Sequence, residues 1–161
     1  MRGMGTHNYR TSLRWTGNRG YGTSDYKAYG REHEISSAGK AITIPGSSDP
    51  HFRGNSDRFN PEELLVASLS ACHMLSYLHL CATHGVVVVA YEDDASGTMV
   101  ETANGGGRMT SVTLRPQVSL AAGSDMAKAE ELHHEAHELC FIANSVNFLV
   151  DCEPVTTTGK H

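Results

Sequence analysis

Two thiols and one carboxylate carry most of the chemistry this sequence could perform. Cys72 lies in the stretch FNPEELLVASLSACHM, residues 59–74, ten residues after Glu62. Almost everything between the two is apolar or small. Cys140 lies in a second stretch, HHEAHELCFIANSV, residues 133–146. A free cysteine ordinarily behaves as a small buried hydrophobe. It becomes a nucleophile only when a cation or hydrogen-bond donor stabilises its thiolate. Arg53 and Arg58 precede the first stretch, and Arg19 lies in an earlier glycine-rich turn. Glu62 could anchor one of these arginines, which could then polarise the thiol. It could equally do no more than favour the positive end of a helix dipole. On the residues alone Cys72 is open to three readings: core filler, metal ligand, or nucleophile.

The histidines form a competing constellation. His133 and His137 stand four apart, a spacing that presents two imidazoles to one metal. The pattern is not H-E-x-x-H, because Glu135 follows His134 and the next histidine comes only two residues later. No third ligand is identifiable, so the expected setting for His133, His134 and His137 is a solvated helix face and no metal is assigned. Cys81 has His84 one helical turn on, but two ligands make no site. Cys81 and Cys152 are read as structural.

The elements that must position these residues follow from punctuation and periodicity. Residues 8–45 read as strands joined by turns, with Gly17, Gly20 and Gly22 marking a hairpin connection. A polar loop leads to the strongest helix start in the chain. Asn60 suits the N-cap, Pro61 the first helical position, and Glu63 completes a capping box. That helix should run to about residue 83 or 84, with Gly85 as its stop. Its apolar residues cover nearly the whole circumference, as in a helix buried on most sides. Residues 86–100 read as one strand and residues 108–120 as another, with Pro116 suggesting an edge. A second helix should start at Ser124 and run past Cys140, and residues 147–159 should close as a final strand. Strands, helix, strands, helix, strand is an α+β order rather than a doubly wound one. The chain of 161 residues suits a single domain spanning 1–161.

Composition excludes several classes. The net charge of −5 and the absence of a polybasic run argue against nucleic acid as a partner. No run reaches the ~18 uninterrupted apolar residues of a membrane span. The N-terminal residues show no secretory signal, and the four cysteines form no C-x-x-C pair. Reduced thiols in a cytoplasmic protein are the expectation.

With these residues in view, the chain resembles the OsmC/Ohr family of osmotically inducible and organic-hydroperoxide-resistance proteins, in its OsmC-like branch. The resemblance rests on three features. One is N-P-E-E-L followed by small residues to A-C, Asn60 to Cys72. Another is a second cysteine at Cys140. The third is the W-x-G…R-G-x-G-T start at Trp15, Gly17, Arg19, Gly20, Gly22 and Thr23. It spans roughly residues 8–158. It implies antiparallel sheets around two long central helices in an intertwined homodimer. It also implies thiol-dependent peroxidase chemistry without a cofactor. Cys72 would be oxidised by a hydroperoxide, organic ones above all, and Cys140 would resolve it as a disulfide. A dithiol (lipoyl, thioredoxin-like or a small thiol) would reset the pair. Glu62 matches the family's glutamate. Its arginine corresponds to Arg53, with Arg19 as the alternative. The rival reading is a non-catalytic redox-sensing or small apolar ligand-binding protein on the same scaffold.

One expectation comes from geometry instead. Ten helical residues separate Glu62 from Cys72 by ~15 Å along the axis. Glu62 therefore should not serve the Cys72 of its own chain. An antiparallel copy of the helix from a second subunit would return a Glu62 to each thiol.

Overall fold

The computed structural model describes residues 4–159. It forms two compact units, Met1–Pro61 and Glu62–His161.

The first unit is built on β1 (Ser12–Trp15), β2 (His33–Ser36) and β3 (Ile44–Gly46), an antiparallel sheet in sequence order. The glycines at 17, 20 and 22 lie, as expected, in the connection of an antiparallel strand pair, here a long loop over residues 16–32. Its turn is closed by Asn18, whose Oδ1 accepts from the backbone of Gly20 and Gly22 at 2.9 and 3.0 Å. Gly20 has φ +103°, a conformation open mainly to glycine. Gly17 is glycine for another reason: a Cβ there would overlap the Gly30 carbonyl, which accepts from Trp15 Nε1 at 2.8 Å. A short 3-10 helix, Pro50–Phe52, follows β3. Asp49 caps it, and Arg53 ends it with φ +65°.

The second unit opens with α1 (Pro61–Thr83). Proline opens it, Glu62 and Glu63 occupy its first turn, and Gly85 ends it at φ +73°, as the sequence predicts. The strands then depart from expectation. The segment read as one strand is β4 (Val88–Asp93) and β5 (Ser96–Glu101), and the next is β6 (Gly107–Leu114) and β7 (Pro116–Leu120). The closing strand is β8 (Leu149–Cys152) and β9 (Val155–Thr158). Two three-stranded sheets result, β4-β7-β9 and β5-β6-β8. β8 and β9 run parallel to β6 and β7, because the chain returns through α2 (Met126–Leu139) rather than a hairpin.

All three breaks meet at one stitched corner. Asp93 accepts from the Arg115 backbone at 2.6 Å, and the Arg115 guanidinium donates to Ser96 at 2.8 Å. Glu153 donates its backbone N–H to the Leu114 carbonyl at 2.8 Å and lies 3.6 Å from the Arg115 side chain. Pro116 is not on an edge. β7 is the middle strand of its sheet, and proline is tolerated there as the first residue after the corner.

The core has two parts. Tyr77, Leu80 and Cys81 of α1 pack with Val118, Leu120, Ala129, Leu132 and Ala136. Leu69 packs with Val112, Leu114 and Val150. Thus α1 buries one face, not its whole circumference, and Leu75 on another face is 63% exposed. By length and composition α1 could also cross a membrane. Its polar residues instead have partners in this unit, such as Ser70 with Asp93 at 2.5 Å.

Candidate active site

The second unit places Cys72 beside Cys140, close enough for the one thiol to act on the other. The positions differ. Cys72 is half-buried on α1. Cys140 is 1% exposed and lies just past α2 as its C-cap, with extended backbone, not on the helix as expected. At the other end of α2 Asp125, not Ser124, is the N-cap, its Oδ1 accepting from Lys128 N at 3.0 Å; Cys140, with ψ 112°, has left the helix. Leaving the helix lets Cys140 Sγ accept from the Ala143 backbone at 3.4 Å. Burial pushes the Cys140 thiol up to about 11, against the pull of that backbone donor; the neighbouring Cys72 adds to the rise. Cys140 therefore holds its proton at neutral pH. All four cysteines are free thiols.

Glu62 is half-buried in the first turn of α1, nine intervening residues from Cys72 on the same helix. In the first unit Arg19 is exposed on the glycine turn. Arg53 is also exposed, and its guanidinium lies 5.9 Å from the Tyr26 ring centroid. Arg58 donates to the His33 carbonyl at 3.3 Å and is engaged in holding its own unit together. An apolar groove of about 440 Å³ in the first unit, lined by Ile35, Ala41, Ile42 and Ile44 among others, contains none of the candidate residues.

One step along α1 from Cys72 is a second arrangement that sequence reasoning missed. His73 and His133 are buried, at 1% and 4% exposure, with His73 Nε2 3.1 Å from His133 Nδ1. Cys152 Sγ lies 3.6 Å from the same His73 nitrogen. Tyr77 stacks on His133 at 3.8 Å between centroids and donates to the Ala129 carbonyl at 3.0 Å. Burial holds His73 down to about 4, assisted by His137 and opposed by Asp93. Burial also holds His133 down to about 4, assisted by His73. Both imidazoles are neutral at pH 7. Burial pushes the Cys152 thiol up to about 12, with Asp93 and Glu153 adding to it.

These facts correct two sequence expectations. His133 does not share a solvated face with its neighbours; it turns into the core, while His134 stays exposed and pairs with Glu138 at 3.3 Å. Cys152 is not chemically isolated. A signal for it existed: strand alternation puts Val150 and Cys152 on the same inward face of β8.

The model of the family described as OsmC-like protein matches residues 54–154. Among solved structures, an OsmC-like protein of unknown function from Vibrio cholerae is 33% identical. It superposes with a TM-score of 0.84 over 93% of this chain and 100% of that one. An organic hydroperoxide resistance protein OsmC from Legionella pneumophila is 19% identical, with a TM-score of 0.66 over 96% of this chain and 100% of that one. The organic hydroperoxide resistance protein OhrB of Bacillus subtilis is 21% identical, with a TM-score of 0.62 over 93% of this chain and 98% of that one. The last two show likeness of fold alone. Among curated proteins none matches this chain.

Proposed function

The chain belongs to the OsmC-like family, and on that premise we propose that it is a thiol-dependent peroxidase that reduces hydroperoxides, organic ones in particular. The observation that carries this reading is the Cys72–Cys140 pair, one thiol half-buried and the other sealed and protonated.

The reaction divides between the two sulfurs. The Cys72 thiolate attacks the terminal oxygen of ROOH. The O–O bond breaks, and the leaving alkoxide takes a proton to become ROH. Cys72 is left as a sulfenic acid, the first and reversible step of cysteine oxidation. Cys140 sulfur then attacks Cys72 sulfur. An S–S bond forms, and the sulfenic oxygen leaves as water with the Cys140 proton. An external dithiol returns the pair to thiols by two exchange steps and is itself oxidised to a disulfide. The sulfur does the chemistry, so no cofactor is needed. Cys140, held at about 11, does not compete for peroxide, which suits a resolving role.

A thiolate at Cys72 needs a cation, and the proposed one is Arg53, with Arg19 as the alternative, oriented by Glu62. The ~15 Å between Glu62 and Cys72 along one helix supports a composite site in a homodimer, where each subunit's Glu62 serves the other's thiol. The large apolar side chains left exposed support a second copy as partner: Leu75 on α1, Phe141 beside Cys140 at 81%, and Leu149. The proposed place of action is the cytoplasm, where dithiol reductants are supplied.

The test is steady-state consumption of cumene hydroperoxide with a lipoyl dithiol, a thioredoxin-type dithiol and dithiothreitol. Turnover with at least one of them, lost in Cys72→Ser, is the expected result. Reduced protein whose thiols survive excess peroxide would instead make it a ligand-binding or sensing member of the family.

A further inference from the structure

The triad of His73, His133 and Cys152 has no part in the peroxide reaction just described. We infer that His73 Nε2, His133 Nδ1 and Cys152 Sγ form a binding site for one thiophilic metal ion of the zinc or copper(I) class, separate from the Cys72–Cys140 pair.

Three elements converge to make it. α1 supplies His73, α2 supplies His133, and β8 supplies Cys152. The three donor atoms lie within 4.8 Å of one another. Zinc binds nitrogen at about 2.0–2.1 Å and sulfur at about 2.3 Å, so tetrahedral ligands of one ion stand about 3.3–3.6 Å apart. In the structure His73 Nε2 stands 3.1 Å from His133 Nδ1 and 3.6 Å from Cys152 Sγ, and the remaining pair, His133 Nδ1 and Cys152 Sγ, lies within 4.8 Å. Two imidazoles with one thiolate is a borderline-to-soft donor set, which prefers zinc or copper(I) over magnesium or calcium.

The two imidazoles must rearrange to hold an ion. In the metal-free chain their rings are within 4° of parallel with centroids 5.4 Å apart. Their facing nitrogens therefore share one proton along a nearly straight line. An ion displaces that arrangement. Each ring tilts to aim its lone pair at the metal, and the ring that had donated the shared proton carries it on its outer nitrogen instead. The Cys152 thiol gives up its proton to become a thiolate, so one proton is released for each ion bound.

The surroundings hold the ligands in place. Tyr77 stacks on His133, and Asp93, engaged by Ser70 and Arg115, is positioned to favour positive charge at His73.

The test is titration of the reduced, anaerobic protein with cobalt(II) as a spectroscopic stand-in for zinc. The double variant Cys72→Ser/Cys140→Ser is run alongside, so that the other thiol pair cannot contribute. The expected result is a sulfur-to-cobalt charge-transfer band that saturates at one ion per chain in both proteins. Zinc(II) should abolish it, and Cys152→Ser should lack it. Thermal unfolding of Cys152→Ser checks that this near-isosteric variant remains folded. His133→Gln should weaken binding at least tenfold while keeping a buried polar side chain. Absence of the band in the wild type, its survival in Cys152→Ser, or its loss only in the Cys72/Cys140 double variant would overturn the assignment. None of these outcomes depends on peroxidase turnover, so the two readings fail separately.

Discussion

Cys72 and His73 are neighbours on one helix, and they face two different chemical settings. A helix turns ~100° per residue. That step carries Cys72 to a half-buried position beside Cys140, and His73 into the core against His133, with half-buried Cys152 at its edge. Both settings pair a thiol with a group from α2 or its end. The difference lies in access and in partner. The thiol pair needs an exposed member to meet a substrate. In the histidine cluster both imidazoles are buried and neutral, and half-buried Cys152 has its thiol pushed up. Burial, more than residue type, separates a redox pair from a candidate ligand set.

The largest effect should come from Cys72→Ser, which should reduce peroxide consumption to the rate without protein. Cys152→Ser, from the histidine cluster, should leave turnover unchanged; a comparable loss there would erase the distinction between the two settings. Next comes Cys140→Ser. One equivalent of peroxide should still be consumed, after which Cys72 stays as a sulfenic acid that dimedone traps. Formation of a Cys72–Cys152 disulfide in that variant would show that the two settings communicate.

Subunit mixing sharpens the exposed side. In heterodimers of Glu62→Gln with Cys72→Ser, a composite interface leaves one site with both native groups. About half of wild-type activity should return, although each homodimer is weak or dead. Recovery of none would place Glu62 and Cys72 in the same subunit's site.

The sealed side should dominate stability. His133→Ala removes a buried ring stacked on Tyr77 and leaves His73 without its partner. It should cost about 2–4 kcal/mol in urea unfolding. Cys72→Ser, half-buried, should cost less than about 1 kcal/mol. Equal costs would contradict the burial contrast.

The smallest effect concerns pH. Cys140 is raised to about 11 from an ordinary 9.0. The unfolded thiol therefore loses its proton first, and the folded state loses stability as pH rises from about 9 to about 11. That loss should be shallower in Cys140→Ser. Iodoacetamide at pH 8 should label Cys72 before Cys140 in the native reduced protein.

The sequence made one side of this comparison legible and hid the other. Asn60, Pro61, Glu63 and Gly85 marked α1 because capping and stop signals are local. The placement of Cys72 against Cys140 was expected from family resemblance, and their residue types fit it. The strand breaks were not legible, since the Asp93–Arg115–Glu153 corner is held by residues distant in sequence. The apolar circumference of α1 suggested burial on most sides, but one chain buries a single face and leaves Leu75 and its neighbours for something else. His133 was misread because HHEAHELC does not say which of its histidines turns inward. That depends on where His73 and Tyr77 meet α2.

The central claim is that Cys72 and Cys140 form one redox couple. Reduced protein should be treated with one equivalent of cumene hydroperoxide, quenched with alkylating agent, digested and mapped by mass spectrometry. The account predicts loss of two thiols per chain and a single new linkage between the Cys72 and Cys140 peptides, with Cys81 alkylated only after unfolding. A linkage through Cys152, or four surviving thiols, would contradict it.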